Sequence, residues 1–364
     1  MAVQLKREGW TQMFSQMRSP NGFLSRFFTI KPGGVYNGDK VAIDIQRFGE
    51  AVAIAIRKST GPNLNDFDQF TTKEFTPPAY GEAFPLDVSD LLNRMAGVDP
   101  YTAAYTEYAG QLVAMMAQGF TLVDDKIKRA VELQASQVLQ TGKLILTDAA
   151  GATVYELDFK PKSTHFPNVA VAWSDAAAVP LADLEALAKV VRSDGKVNPD
   201  LLIMGESAIS NFLSNASVIA QADNRRYELI EIAPQFMDSG ATMYGFYWIG
   251  NYRFQLWSYP DTYDNPANGN PVPYVGTNNV IMLSTKTRLD MASARVPLPL
   301  GPDPRVAGLL PGRMTSRDAG SNFDVTPNVY ATPNGKQIMG ELESRPLMIP
   351  VQIDGYACLT TVPA

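Results

Sequence analysis

Apolar residues between positions 99 and 142 recur every three or four places: Tyr105, Tyr108, Leu112, Met116, Val123, Ile127, Ala130, Val131 and Val138. That period predicts one amphipathic helix with a single apolar stripe. Asp99-Pro100 offers an N-cap followed by a first-turn proline, and Gly142 a helix-ending residue. At 1.5 Å per residue the span reaches about 60 Å, several times an average globular helix, so a strut across the subunit is expected. Asp124 with Lys128, Asp125 with Arg129, and Lys128 with Glu132 sit four apart and are expected to be supporting pairs on a solvated face. Gly110 and Gly119 offer places to bend.

Elsewhere the period is two. Val41, Ile43 and Ile45 alternate with polar residues, and Val52, Ile54 and Ile56 repeat the pattern, predicting two strands. The following stretch GPNLNDFDQFTTKEFTPPAYGEAF (61–84), with the pair Pro77-Pro78, is polar and turn-rich and is expected to leave the core as a long excursion. Strands are predicted at Leu144–Thr147 and Val154–Phe159, joined through Gly151, and a helix from Leu181 to about Arg192. Leu201-Leu202-Ile203-Met204 reads as a buried strand ending at Gly205, with a short helix over Ser207–Ser214. The segment GFYWIGNYRFQLWSY reads as two strands around Gly250-Asn251, in an order that suits a type II′ turn. Residues 259–323 are rich in Pro, Gly and Asn and read as surface loop, with one clear strand at Val280–Ser284. Asn334-Gly335 marks a last hairpin. The first 35 residues scatter large apolar groups without a period, as an arm that must lie on something else would.

Composition narrows the functional classes. The chain has 364 residues, enough for more than one core, and 45% hydrophobic and 19% charged residues, an ordinary globular balance. Net charge is −6 and no basic run tracks along the chain, which argues against a direct grip on nucleic acid. No apolar stretch reaches the length of about 18 residues that a membrane helix needs, and the first residues lack the apolar core of a secretory signal. Synthesis in the cytoplasm is the expectation.

Catalytic chemistry finds little to work with. Cys358 is the only cysteine and His165 the only histidine, so a disulfide, a CxxC motif or a histidine-rich metal site has no material. Gly205-Glu206-Ser207 lies between strand and helix as a nucleophile elbow would, but Ile209 stands where the GxSxG pattern needs glycine. Gly142-Lys143 and Asn334-Gly335-Lys336 lack the spacing of a phosphate-binding loop. No catalytic residue, cofactor or metal ligand is assigned.

Four segments in order then carry a resemblance: FTPPAYGEAFPLDVSDLLNR (75–94), LVDDKIKRAVELQASQVLQTGKL (122–144), DLLIMGESAISNFL (200–213) and ESRPLMIPVQIDGYACLTTV (343–362). With an apolar arm ahead of them, they resemble the lambda-type major capsid proteins of tailed bacteriophages. That resemblance implies an α+β Hong Kong 97-like (HK97-like) capsid fold. Its parts would be an N-terminal arm at 1–39, an extended β-hairpin loop at 40–85, and a peripheral domain at 86–164 holding a spine helix at 100–141. An axial domain would occupy 165–330, and C-terminal strands at 331–364 would return to the peripheral domain.

The resemblance further implies a non-enzymatic subunit that self-assembles as hexamers and pentamers into an icosahedral shell, enclosing double-stranded DNA without binding it specifically. The expected partners are a portal protein, a decoration protein and a scaffolding protein, the last a separate chain because no scaffold segment precedes Met1 in the sequence read. The expected locations are the virion and, during assembly, the host cytoplasm. Expected contacts between subunits are Trp10, Phe14, Phe27 and Phe28 on the arm and Arg57, Lys58, Asp66 and Asp68 on the extended loop. Two other readings compete: a tail or decoration component of a phage, and a hydrolase built on Ser207 and His165.

Overall fold

The computed structural model describes residues 22–36, 41–45, 71–87, 108–147, 150–222, 230–237, 240–294, 296, 325–334 and 337–363. The first strands are β1 (Thr29–Tyr36), β2 (Val41–Ile45), β3 (Thr71–Phe75) and β4 (Tyr80–Asp87). The long helix α1 (Tyr108–Thr141) follows, then β5 (Lys143–Thr147), β6 (Thr153–Asp158), helix α2 (Pro180–Gly195) and β7 (Leu201–Met204). Helices α3 (Glu206–Ser214) and α4 (Ala216–Ala222) precede β8 (Ile230–Phe236), β9 (Thr242–Ile249) and β10 (Tyr252–Ser258). The chain continues through β11 (Thr262–Asp264), β12 (Pro271–Pro273), β13 (Asn279–Leu283) and β14 (Leu289–Ala294). It closes with β15 (Val325–Ala331), β16 (Gln337–Ser344), β17 (Pro346–Pro350) and β18 (Tyr356–Thr360).

A six-stranded sheet of order β18-β13-β7-β10-β9-β8 forms one half of the subunit. Its central strand β7, LLIM, is apolar throughout because both faces are covered. Leu202 and Met204 of β7 point into a core with Leu184, Leu187 and Val191 of α2 and Phe212 of α3. Leu201 and Ile203 point the other way, into a core shared with Val138 and Leu139 of α1. The same alternation holds in β13, where Val280 and Met282 face the helices and Ile281 and Leu283 the spine. Gly250 has φ +58° while Asn251 is not in the positive region, which agrees with a type II′ turn between β9 and β10.

The spine α1 packs against a second sheet, β15-β16-β4, and against β17 of a third, β1-β14-β17. It ends as expected: Gly142 takes φ +65° and its N–H bonds to the carbonyl of Val138 at 2.9 Å. The proposed helix start at Asp99-Pro100 and the strand at 52–56 lie outside the described residues.

Several expectations give way to tertiary packing. β2 pairs with β3, and β3 and most of β4 lie within the stretch read as a polar excursion. β4 runs in register with β16 over eight residues, from Tyr80↔Ser344 to Gln337↔Asp87. β14 was hidden in the Pro- and Gly-rich region read as surface loop, yet all six of its residues are buried between β1 and β17. Its sequence LDMASA has small residues and no alternation, because neither face meets water. β18 forms an edge of the six-stranded sheet beside β13 and packs against the spine.

Gly119 is a close-packing site. A Cβ there would overlap the ring of Phe84 from β4, and a Cβ on Gly340 of β16 would overlap the same ring. Phe84 thus sits in a slot floored by two glycines, edge-on to Phe120 at 5.2 Å. Intrinsic propensity favours Gly119→Ala by about 1 kcal/mol, whereas overpacking of the Phe84 slot costs about 1–3 kcal/mol. The expected result in chemical denaturation is net destabilisation, relieved when Phe84→Leu is added; a variant more stable than its parent would show that the slot is not tight.

Candidate shell-building surfaces

The last three turns of α1 hold the subunit's distant segments through buried polar side chains. The Glu132 carboxylate accepts from the N–H of Leu24 at 2.6 Å and of Ser25 at 3.0 Å. Gln134 donates to the Tyr80 hydroxyl at 2.7 Å and the Pro346 carbonyl at 3.3 Å, and accepts from the N–H of Met348. Ser136 donates to the carbonyl of Tyr274. Gln140 donates to that same carbonyl at 2.8 Å and accepts from the N–H of Gly276 at 2.9 Å and the Asn279 amide at 2.8 Å. The helix therefore ties residues 24 and 25, the start of β4, the entry to β13 and the strand β17 to one axis. Sequence reading missed this set, although Glu132, Ser136 and Gln140 stand at four-residue spacing beside the apolar stripe, a signal for one polar face.

The charge pairs expected to be solvated are not all so. Asp124 is 4% exposed and pairs with Lys128. Burial pushes its carboxyl above the ordinary value, and the bond to Lys128 pulls it back.

Of the eight expected contact residues, six (Trp10, Phe14, Arg57, Lys58, Asp66 and Asp68) lie outside the described residues. Phe28 is corrected: it is 4% exposed and packed in the subunit's own core, so it offers no surface to a neighbour. Phe27 is half-buried and meets Phe23 edge-on at 5.5 Å. An aromatic pair inside the fold is better shielded from water than one waiting for a partner. Among the described residues, Phe236 at 87%, Val154 at 70% and Leu122 at 67% are the most exposed large apolar side chains. Phe236 ends β8, an outer strand of the six-stranded sheet interrupted by Pro234 and a register shift, features that block further strand pairing at an edge.

The other chemical candidates have structural partners. His165 is buried, with Nδ1 2.8 Å from the carbonyl of Tyr356 and Nε2 3.3 Å from Asp194. Both ring nitrogens are thereby engaged away from Ser207, which lies in the first turn of α3. Lys162, at 2.7 Å, is the first cause that lowers the Asp194 carboxyl below its ordinary value. Gly205 is required because a Cβ there would strike the backbone of Gly276 and Thr277, so the elbow-like motif reflects strand packing. Cys358 is buried in β18, and burial pushes its thiol up to about 12. Among the described residues no group of acidic, histidine or cysteine side chains could hold a metal ion, and no helix is long and apolar enough to cross a membrane.

Comparison with known proteins places this architecture. The profile of the family described as phage major capsid protein E matches residues 10–361. A prophage protein of Escherichia coli CFT073, described as a capsid protein, superposes with a TM-score of 0.65 at 15% identity, covering 100% of both chains. A phage-related protein of Bordetella bronchiseptica RB50 superposes with a TM-score of 0.52 at 11% identity, covering 96% of this chain and 95% of that one. Among curated proteins none matches.

Removing the Gln140 clamp tests the axis. Gln140→Met keeps the volume but leaves the Gly276 N–H and one bond to the Tyr274 carbonyl unmade, at a cost of about 1–3 kcal/mol. Hydrogen exchange at Gly276 should accelerate while β7 stays protected; unchanged exchange at Gly276 would show that the loop is held by other means.

Proposed function

The chain belongs to the phage major capsid protein E family, and from that premise we propose that it closes, as hexamers and pentamers, into an icosahedral head shell around double-stranded DNA. Membership over residues 10–361 is the observation that carries this reading, and the Hong Kong 97-like fold is consistent with it. The protein is a structural subunit of a phage head. Its action is self-association, with no chemical step, and an excess of acidic over basic residues suits a wall that does not hold the packed genome.

The division into arm (1–39), extended loop (40–85), peripheral domain (86–164), axial domain (165–330) and C-terminal strands (331–364) is part of the proposal, with one amendment. β18 is assigned to the axial domain because its ladder is with β13. The arm and the extended loop, with Arg57, Lys58, Asp66 and Asp68, are proposed to meet neighbouring copies, together with Leu122, Val154 and Phe236. Because Pro234 spoils the edge at β8, contact there would be through side chains. A separate scaffolding protein, a portal protein and a decoration protein complete the proposed partners, with assembly in the host cytoplasm.

Electron microscopy of the protein, expressed alone and with its neighbouring genes, checks the reading. Closed shells tens of nanometres across are expected. Small discrete particles in both preparations would point instead to a tail or decoration component.

A further inference from the structure

Glu132 sits where three parts of the subunit converge. It is 3% exposed in the last three turns of the spine, and both of its oxygens face the backbone of residues 24 and 25. Beside it, Phe23 packs on Trp257 at 5.1 Å and on Tyr259 at 5.3 Å, at the end of β10. The Tyr259 hydroxyl is pushed far above its ordinary value, first by burial and then by the charges of Glu132 and Asp261 and a hydrogen bond to Glu132. A Cβ on Gly22 would overlap the Glu132 carboxylate and have to displace it, so the chain passes close to this group. A carboxylate buried in this way is costly unless charge-assisted bonds compensate it.

We propose that the Glu132 carboxylate is a latch that fastens the root of the N-terminal arm, residues 22–28, to its own spine. Residues 22–28 belong to no sheet; their only regular feature is the 3-10 turn Ser25–Phe27. The N–H groups of Leu24, just before that turn, and of Ser25, its first residue, are held by this one side chain. Breaking it removes the arm's polar anchor and leaves the six-stranded sheet, whose ladder is independent of it, intact. The inference rests on the shell reading, since only a subunit that meets other copies has a use for a fixed direction of its arm.

Limited trypsin digestion of the full chain before assembly tests the latch without depending on shell formation. Arg26 is exposed and is the one basic residue between positions 22 and 30. Glu132→Gln turns one acceptor into a donor facing an N–H, and Gly22→Ala displaces the carboxylate from the arm side. Loss of a bond to a charged acceptor should speed cleavage after Arg26 on the order of tenfold or more in both variants, while hydrogen exchange in β7 and β13 stays slow. Parent-like cleavage in either variant would overturn the latch. Loss of protection in β7 and β13 together with the arm would also overturn it, by making Glu132 a general core determinant. The parent's behaviour in the microscope judges the shell reading separately.

Discussion

Backbone N–H and carbonyl groups removed from water must be paired, and in this subunit the side chains of a single helix pair those of segments far apart in sequence. Glu132 serves residues 24 and 25, Gln134 serves residues 346 and 348, and Ser136 with Gln140 serves residues 274 and 276. An unpaired buried group costs about 1–3 kcal/mol, comparable with the loss of a good core contact. Holding the spine in place therefore holds the arm root, the entry to β13 and the C-terminal strands. The spine is the reference against which the sheets are positioned.

Close approach is the second constraint, and it falls on glycines. Phe84 reaches the helix backbone only because positions 119 and 340 carry no side chain, and β7 meets the loop before β13 only because position 205 carries none. The first of these slots lies where β4 pairs with β16 against the spine. A displacement of β4 would be felt at the spine through an aromatic ring.

A shell subunit must complete part of its surface with copies of itself. The described residues suit this: the outer strand β8 is closed to strand addition by Pro234, while single large apolar side chains stand exposed on β8, β6 and the spine. At 15% identity to a solved structure, side chains have diverged while the fold, at a TM-score of 0.65, has been kept. The fold is carried by pattern and by a few sites of close contact.

The sequence by itself determined the elements whose signal is local. The spine's apolar period, its glycine stop, the buried run 201–204 and the Gly250-Asn251 hairpin are all written in neighbouring residues. So is the family, through four ordered segments. What only the tertiary structure decided depends on contacts between residues far apart. β14 lacks alternation because both of its faces are buried, β18 crosses to the six-stranded sheet, and Phe28 turns into its own core. Glu132, which sequence alone assigns to a solvated ion pair, becomes a buried acceptor for an arm more than a hundred residues away. Local pattern reports which side of an element is apolar; it does not report what will come to lie against it.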